Sequence, residues 1–145
     1  MNRFVLVVFL IIIVPFRMNS QKKLKNHLFQ DENSATTENK INIAKLNIDK
    51  AYIAYSNDNL EKSKYFIDQS QKQGVKSGDF YFLLGAYMYR TQEFKAAKRY
   101  WKIAHKEGGC WECKSLLDKL ENEEPTSDII AEKVKDYIGE KGNIE

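Results

Sequence analysis

The residues of this chain best suited to chemistry are Cys110-Trp111-Glu112-Cys113, which hold its only two cysteines, with His105 five positions ahead of them. A C-x-x-C pair serves thiol–disulfide exchange when it lies beside a βαβ pattern. No alternating strand pattern lies near this one, so redox catalysis lacks its scaffold. Covalent haem attachment needs His directly after the second Cys, and Lys114 stands there. A zinc site needs four ligands, and His27 and His105 are the only histidines, the first of them in a loosely patterned leader. No metal and no cofactor is expected. Residues i and i+3 of a helical turn sit about 5 Å apart, within reach of a disulfide. In an oxidising compartment Cys110 and Cys113 are therefore expected to close a short loop at a helix start. Two buried free thiols are the alternative, and a secreted thiol protein is the second reading of function. His105 falls near a helix end, where a partly positive ring suits the dipole. No Ser or Cys has a His and an acid at a spacing that suggests an activated nucleophile, and no Gly-rich phosphate loop is present. The sequence therefore predicts no catalytic residue.

The elements that carry these residues follow from composition and period. The chain has 145 residues, 43% hydrophobic and 30% charged, with only seven Gly and two Pro, which favours long helices over many turns. Net charge is +3, but Arg3 and Arg17 lie in a segment expected to be removed, and residues 1–20 contain no acid. Taking those two from 23 basic residues leaves 21 against 20 acidic ones. That balance, with lysines spread along the chain, argues against nucleic acid as a partner.

Residues 1–20 place Arg3 before an apolar run from Phe4 to Phe16. Thirteen helical residues span about 20 Å, short of the roughly 30 Å hydrocarbon core. This is the build of a secretory signal peptide, with Ser20 before the cut and Gln21 first in the mature chain. Met18 in place of a small residue, and the positive charge of Arg17, Lys22, Lys23 and Lys25 after the run, depart from that pattern. A small membrane-anchored subunit that keeps this helix is the third reading. After cleavage no membrane attachment is expected, and the chain is placed in the periplasm or outside the cell.

Residues 21–37 are polar and read as a flexible leader. From about Glu38 to Ser56, Ile41, Ala44, Ile48, Ala51, Tyr52 and Tyr55 follow a helical period. Asn57-Asp58-Asn59 breaks it. A second helix runs from about Leu60 to Gln73 and ends on Gly74 in the left-handed conformation. Two more span about Asp79–Arg90 and Glu93–Lys106, and Gly108-Gly109 closes them. Small Gly85 and Ala97 are expected to let the two backbones approach, among Tyr81, Leu84, Met88, Phe94 and Trp101. A fifth helix covers about Trp111–Asn122, and Thr126-Ser127-Asp128 caps a last amphipathic helix with Ile129, Ile130, Val134, Tyr137 and Ile138. The final GNIE is a frayed end.

Shifted by 34 residues, the chain overlays itself without a gap across Ala51–Gly74. Ala51 falls on Gly85, Tyr55 on Tyr89, Leu60 on Phe94, Ser63 on Ala97, Ile67 on Trp101, Ser70 on Ala104 and Gly74 on Gly108. A fixed period with two helices per unit is the mark of a helical-hairpin array. Tyr81-x-x-Leu84-Gly85-x-x-Met88, with Ala97, Trp101 and Ala104, resembles the tetratricopeptide repeat, and Lys98 to Gly108 is also similar to the sel-like repeat. Gly109 stands where the first of these families usually has Pro, and the earlier unit has Ser63 and Ser70 where Ala is usual.

The resemblance covers Ala44 to Trp111, about half of the mature chain. It implies an all-α fold: a solenoid of about two hairpins over residues 38–124, with a capping helix, and a further amphipathic helix and tail at 125–145. It implies a protein–protein adapter without chemistry of its own, which holds a peptide or a partner's helix on a concave face. Carried over by position, that face holds Lys45, Ile48, Tyr52, Tyr55 and Ser56 from the first unit, and Asp79, Phe82, Ala86, Tyr89 and Arg90 from the second. Arg90 beside Tyr89 would favour a ligand carboxylate. Packing between the hairpins is the alternative for Tyr55 and Tyr89. Ile48 and Tyr52 stand where the family's chaperone-carboxylate clamp has Lys and Asn, so that activity is not expected. A second copy of the chain remains open as a partner.

Overall fold

The computed structural model describes residues 36–74 and 76–142. Residues 1–20, read above as a signal peptide, most of residues 21–37, read as a leader, and the last three residues lie outside them. The chain divides between Asn39 and Lys40 into two units, and the second, Lys40–Glu145, is the subject below. The described residues form six helices and no strand. They are α1 (36–56), α2 (Leu60–Lys72), α3 (Gly78–Arg90), α4 (Phe94–Lys106), α5 (Glu112–Glu121) and α6 (Ser127–Lys141). The expected boundaries hold to within about two residues.

The 34-residue period is present in the backbone itself. α2 and α4 are both 13 residues long, and their bounds differ by 34 at each end. In the turn before α2, the amides of Asn57, Asp58 and Asn59 donate to the carbonyls of Ile53, Tyr55 and Ala54. In the turn before α4, those of Thr91, Gln92 and Glu93 donate to Tyr87, Tyr89 and Met88, the same three bonds one repeat later. Asp58 and Gln92 both take the left-handed conformation, at φ 57° and 65°, and so do the closing Gly74 and Gly108, at 79° and 77°. Asn59 caps α2 through its side chain, which accepts from the Lys62 amide at 3.0 Å. Ser77 does the same for α3 at the Phe80 amide, 3.1 Å away. Thr126 precedes α6 but makes no side-chain cap, contrary to the expectation.

The core is continuous from α1 to α6, and α3 packs most extensively on α4. At their crossing the indole of Trp101 is fully buried and its N–H donates to the Phe82 carbonyl at 3.2 Å. A Cβ on Gly85 would stand 2.4 Å from that indole nitrogen. Gly85 therefore makes room for a ring on α4 rather than for the α4 backbone. The close backbone approach lies elsewhere: a Cβ on Gly78 would come 2.5 Å from the Cα of Gly109. Gly109 lies where the α4–α5 connection crosses the start of α3. Ser63 and Ser70 are fully buried like Ala97 and Ala104, their counterparts. The Ser63 hydroxyl donates to the Ala51 carbonyl at 3.0 Å, whereas that of Ser70 has no partner among the described residues. Lys98 is half-buried and reaches Glu121 at 2.5 Å.

Ala97→Leu should lower stability by roughly 1–3 kcal/mol or more, because three added heavy atoms have no space at the α3–α4 contact. Gly85→Ala should also destabilise, since the clash with Trp101 outweighs a gain in helix propensity of about 1 kcal/mol. Lys98→Ala, which removes one partly exposed ion pair, should cost less than about 1 kcal/mol. Thermal melts of the three variants measure this ranking, and equal midpoints would mean the hairpin contact is misplaced.

Candidate functional site

The face of α1 and α3 assigned from the repeat does not stand open. Helix α6 lies on it. Its stripe of Ile130, Val134 and Tyr137 is buried, while Ala131, Glu132, Lys135 and Asp136 point to solvent. Spacings of four and three put the buried trio on one side of the helix. Burying side chains of this size contributes roughly 1.5–3 kcal/mol each.

The contact is polar at its edges. The ring of Tyr137 stacks on Tyr52 with centroids 3.7 Å apart, and its hydroxyl donates to the Asp49 carboxylate at 2.6 Å. Tyr52 in turn stacks against Phe82 at 6.4 Å and donates to the Asp79 carbonyl at 3.0 Å. Lys133 pairs with Glu112 at the start of α5 at 3.4 Å, both side chains being less than one-fifth exposed. The second oxygen of Glu112 has no hydrogen-bond partner among the described residues. Burial pushes the Asp79 carboxyl above its ordinary range, while Lys133 and Lys141 hold it down. Burial also raises the Tyr52 and Tyr137 phenols far above theirs, with Asp79 adding to the first and the bond to Asp49 to the second. The Tyr55 phenol is pushed up to about 12 by burial, against the pull of Arg90.

The residues expected to hold a partner therefore sort into groups. Ile48, Tyr52, Tyr55, Phe82 and Ala86 are buried, and Tyr55 donates to the Ala86 carbonyl at 3.3 Å. These side chains have almost no surface to offer an outside ligand while α6 is in place. Lys45, Ser56 and Arg90 are exposed, and Asp79 is half-buried. Arg90 is already paired with Asp58 and lies over the Tyr55 ring, so the expected pairing with a ligand carboxylate faces a competitor. The structure also separates Tyr55 from Tyr89. Tyr55 and Arg90 line a cleft of about 300 Å³ beside Val134 and Ile138. Tyr89 packs on Phe94 and Trp101 and opens into a different cleft, of about 460 Å³, with Lys95 and Leu120. Truncating either tyrosine would report on packing before it reported on binding. The role of Tyr137 was not visible in the sequence, where it is one aromatic in an amphipathic stripe.

Cys110 and Cys113 form a disulfide, with Cα atoms 5.4 Å apart and both side chains buried. Trp111 between them is 80% exposed. His105 approaches the Cys110 carbonyl through Nδ1 at 3.3 Å, which ties the end of α4 to the clipped loop. No cluster of three metal-ligating side chains occurs among the described residues, and no described helix is long and apolar enough to cross a membrane. Comparison with protein-family models, with curated proteins and with solved structures finds no match.

Two outcomes are expected. In a spectrophotometric titration of the folded chain, Tyr52, Tyr55 and Tyr137 should stay protonated when exposed tyrosines ionise near pH 10. Their folded values lie above the unfolded one, so the stability they contribute is intact below about pH 10 and is lost as pH rises beyond it. Normal ionisation of all eight tyrosines without loss of helix would contradict the burial of this face. Opening the Cys110–Cys113 bond should cost less than the roughly 3 kcal/mol of a 15-residue loop, because so short a loop restrains the unfolded chain little. Denaturant melts with and without reductant measure the difference.

Proposed function

We propose that this chain is an exported interaction module built on two tetratricopeptide-like hairpins, with no chemistry of its own. It would hold a peptide or a partner's helix on the concave face that α1 and α3 present. The observation that carries this reading is α6 itself, since the face already accepts an amphipathic helix, with an aromatic stack, a phenol–carboxylate bond and an ion pair at its edges. The turns that recur after 34 residues support the solenoid. A disulfide supports an oxidising compartment, in keeping with the apolar run at residues 4–16 and with a periplasmic or secreted protein. The thiol reading is weakened by burial, because exchange needs a sulfur that an attacking thiolate can reach.

Site-directed cross-linking tests the reading. A photoreactive benzoylphenylalanine at Ser56 or Lys45, exposed positions of the proposed face, should give adducts of defined mass with exported proteins of the source cells. The same group at Tyr65, exposed on α2, serves as control. Adducts absent from both test positions, or equally strong from Tyr65, would sink the proposal.

A further inference from the structure

We infer that α6 is a detachable internal occupant of the α1–α3 face, and that the partner is an amphipathic helix carrying the same stripe. That stripe is Ile130, Lys133, Val134 and Tyr137: an apolar residue, then a lysine directly before a second apolar residue, then an aromatic three further on. The inference rests on the proposed use of this face. It names what the face takes and what must leave first.

The face defines its occupant chemically. Tyr52 offers a flat ring at its centre, on which the Tyr137 ring stacks. Asp49 accepts a hydrogen bond from the phenol, and Glu112 forms an ion pair with Lys133 through one oxygen while its second has no hydrogen-bond partner among the described residues. An aliphatic stripe alone would cover both half-buried carboxylates without giving either a partner, at a cost in affinity. A helix with Lys and Tyr at these spacings satisfies them.

Several features make α6 the element that lets go. It is held by a single stripe and is solvated on the other side. Gly139 lies in its last turn with no neighbour that a Cβ would meet, so the glycine lowers helix propensity without serving packing. The cleft between Ile138 and Arg90 leaves its outer edge incompletely packed. Its hinge is short: Glu123 is left-handed at φ 57°, Pro125 follows, and the buried Thr126 hydroxyl makes no hydrogen bond among the described residues. An element packed along one stripe opens at lower cost than elements packed on several sides. In contrast, α3, α4 and α5 are bound together by Trp101 and by the clipped loop.

The test uses the full chain and a fluorescent peptide of sequence Ser127–Lys141. A face that is mostly occupied binds a competitor weakly, in proportion to the small open fraction. Tyr137→Ala in the chain should loosen α6 and tighten peptide binding at least tenfold by anisotropy. A peptide carrying its own Tyr137→Ala change should lose that gain. In the unaltered chain, hydrogen exchange should be at least tenfold faster in α6 than in α3 and α4. Equal peptide affinity for the two chains, or equal protection of α6 and α3, overturns the inference. So does a Tyr137→Ala chain without helical circular dichroism, because a detachable helix cannot be what folds the rest. A stable dimer formed by exchange of α6 would make a second copy the occupant, and overturns it too. If these fail while adducts at Ser56 persist, the adapter reading stands and the exchange of α6 does not. If the peptide binds as expected and no natural adduct forms, the reverse holds.

Discussion

The fit of the Trp101 indole onto the bare backbone of Gly85 is the contact on which the rest of the structure depends. A tryptophan is seldom buried completely, because its N–H then needs a partner away from water. Here the Phe82 carbonyl provides one, and the absence of a side chain on Gly85 lets the ring reach it. Ala97 and Ala104, one turn before and after, keep α4 close enough for the contact to close. One repeat earlier the pair is Ala51 and Ile67, both buried. A methyl gained on one helix is matched by volume lost on the other, and the packed space is conserved though neither residue is. Volume-matched exchanges of this kind are those a close-packed interior tolerates best.

Much of the fold was legible because helix period, turn residues and a 34-residue shift all point to the same hairpins. Gly74 and Gly108 announced left-handed helix ends, and both take them. Gln92 did not announce its positive φ, since only comparison with Asp58 one repeat earlier marks it as the same turn position. Gly78 was not legible either. Its reason is the Gly109 Cα, which follows it by 31 residues and belongs to the next connection. Gly109 was visible as part of a helix-closing Gly-Gly pair, while its contact with Gly78 lies across the fold.

The apolar side of α1 and α3 was legible, and what covers it was not. Period tells which side of α1 and α3 is apolar, and Ile48, Tyr52 and Phe82 do share that side. It cannot tell what covers an apolar side, because an outside partner and a later segment of the same chain ask for the same residues. The sequence of α6 reads as an ordinary amphipathic helix whose stripe could meet any apolar surface. What distinguishes it is the pairing of Tyr137 with Asp49, 88 positions away, and no local pattern encodes a bond at that distance. Tyr55 and Tyr89 show the same limit from the other side. They are equivalent in the repeat, yet one meets the Ala86 carbonyl and the other meets Phe94 and Trp101.

The Cys110–Cys113 bond gains its meaning from this arrangement. A three-residue closure adds little stability through the unfolded chain, so its structural effect must be local. It fixes the entry to α5 at the point where Gly109 crosses Gly78 and where His105 reaches the Cys110 carbonyl. Glu112 lies inside that loop, and it is the residue that receives Lys133 from α6. The disulfide therefore holds in place one of the two carboxylates that α6 must satisfy, while Asp49 on α1 presents the other. The two carboxylates thus stand on different elements, α1 and the start of α5, and α6 spans the distance between them.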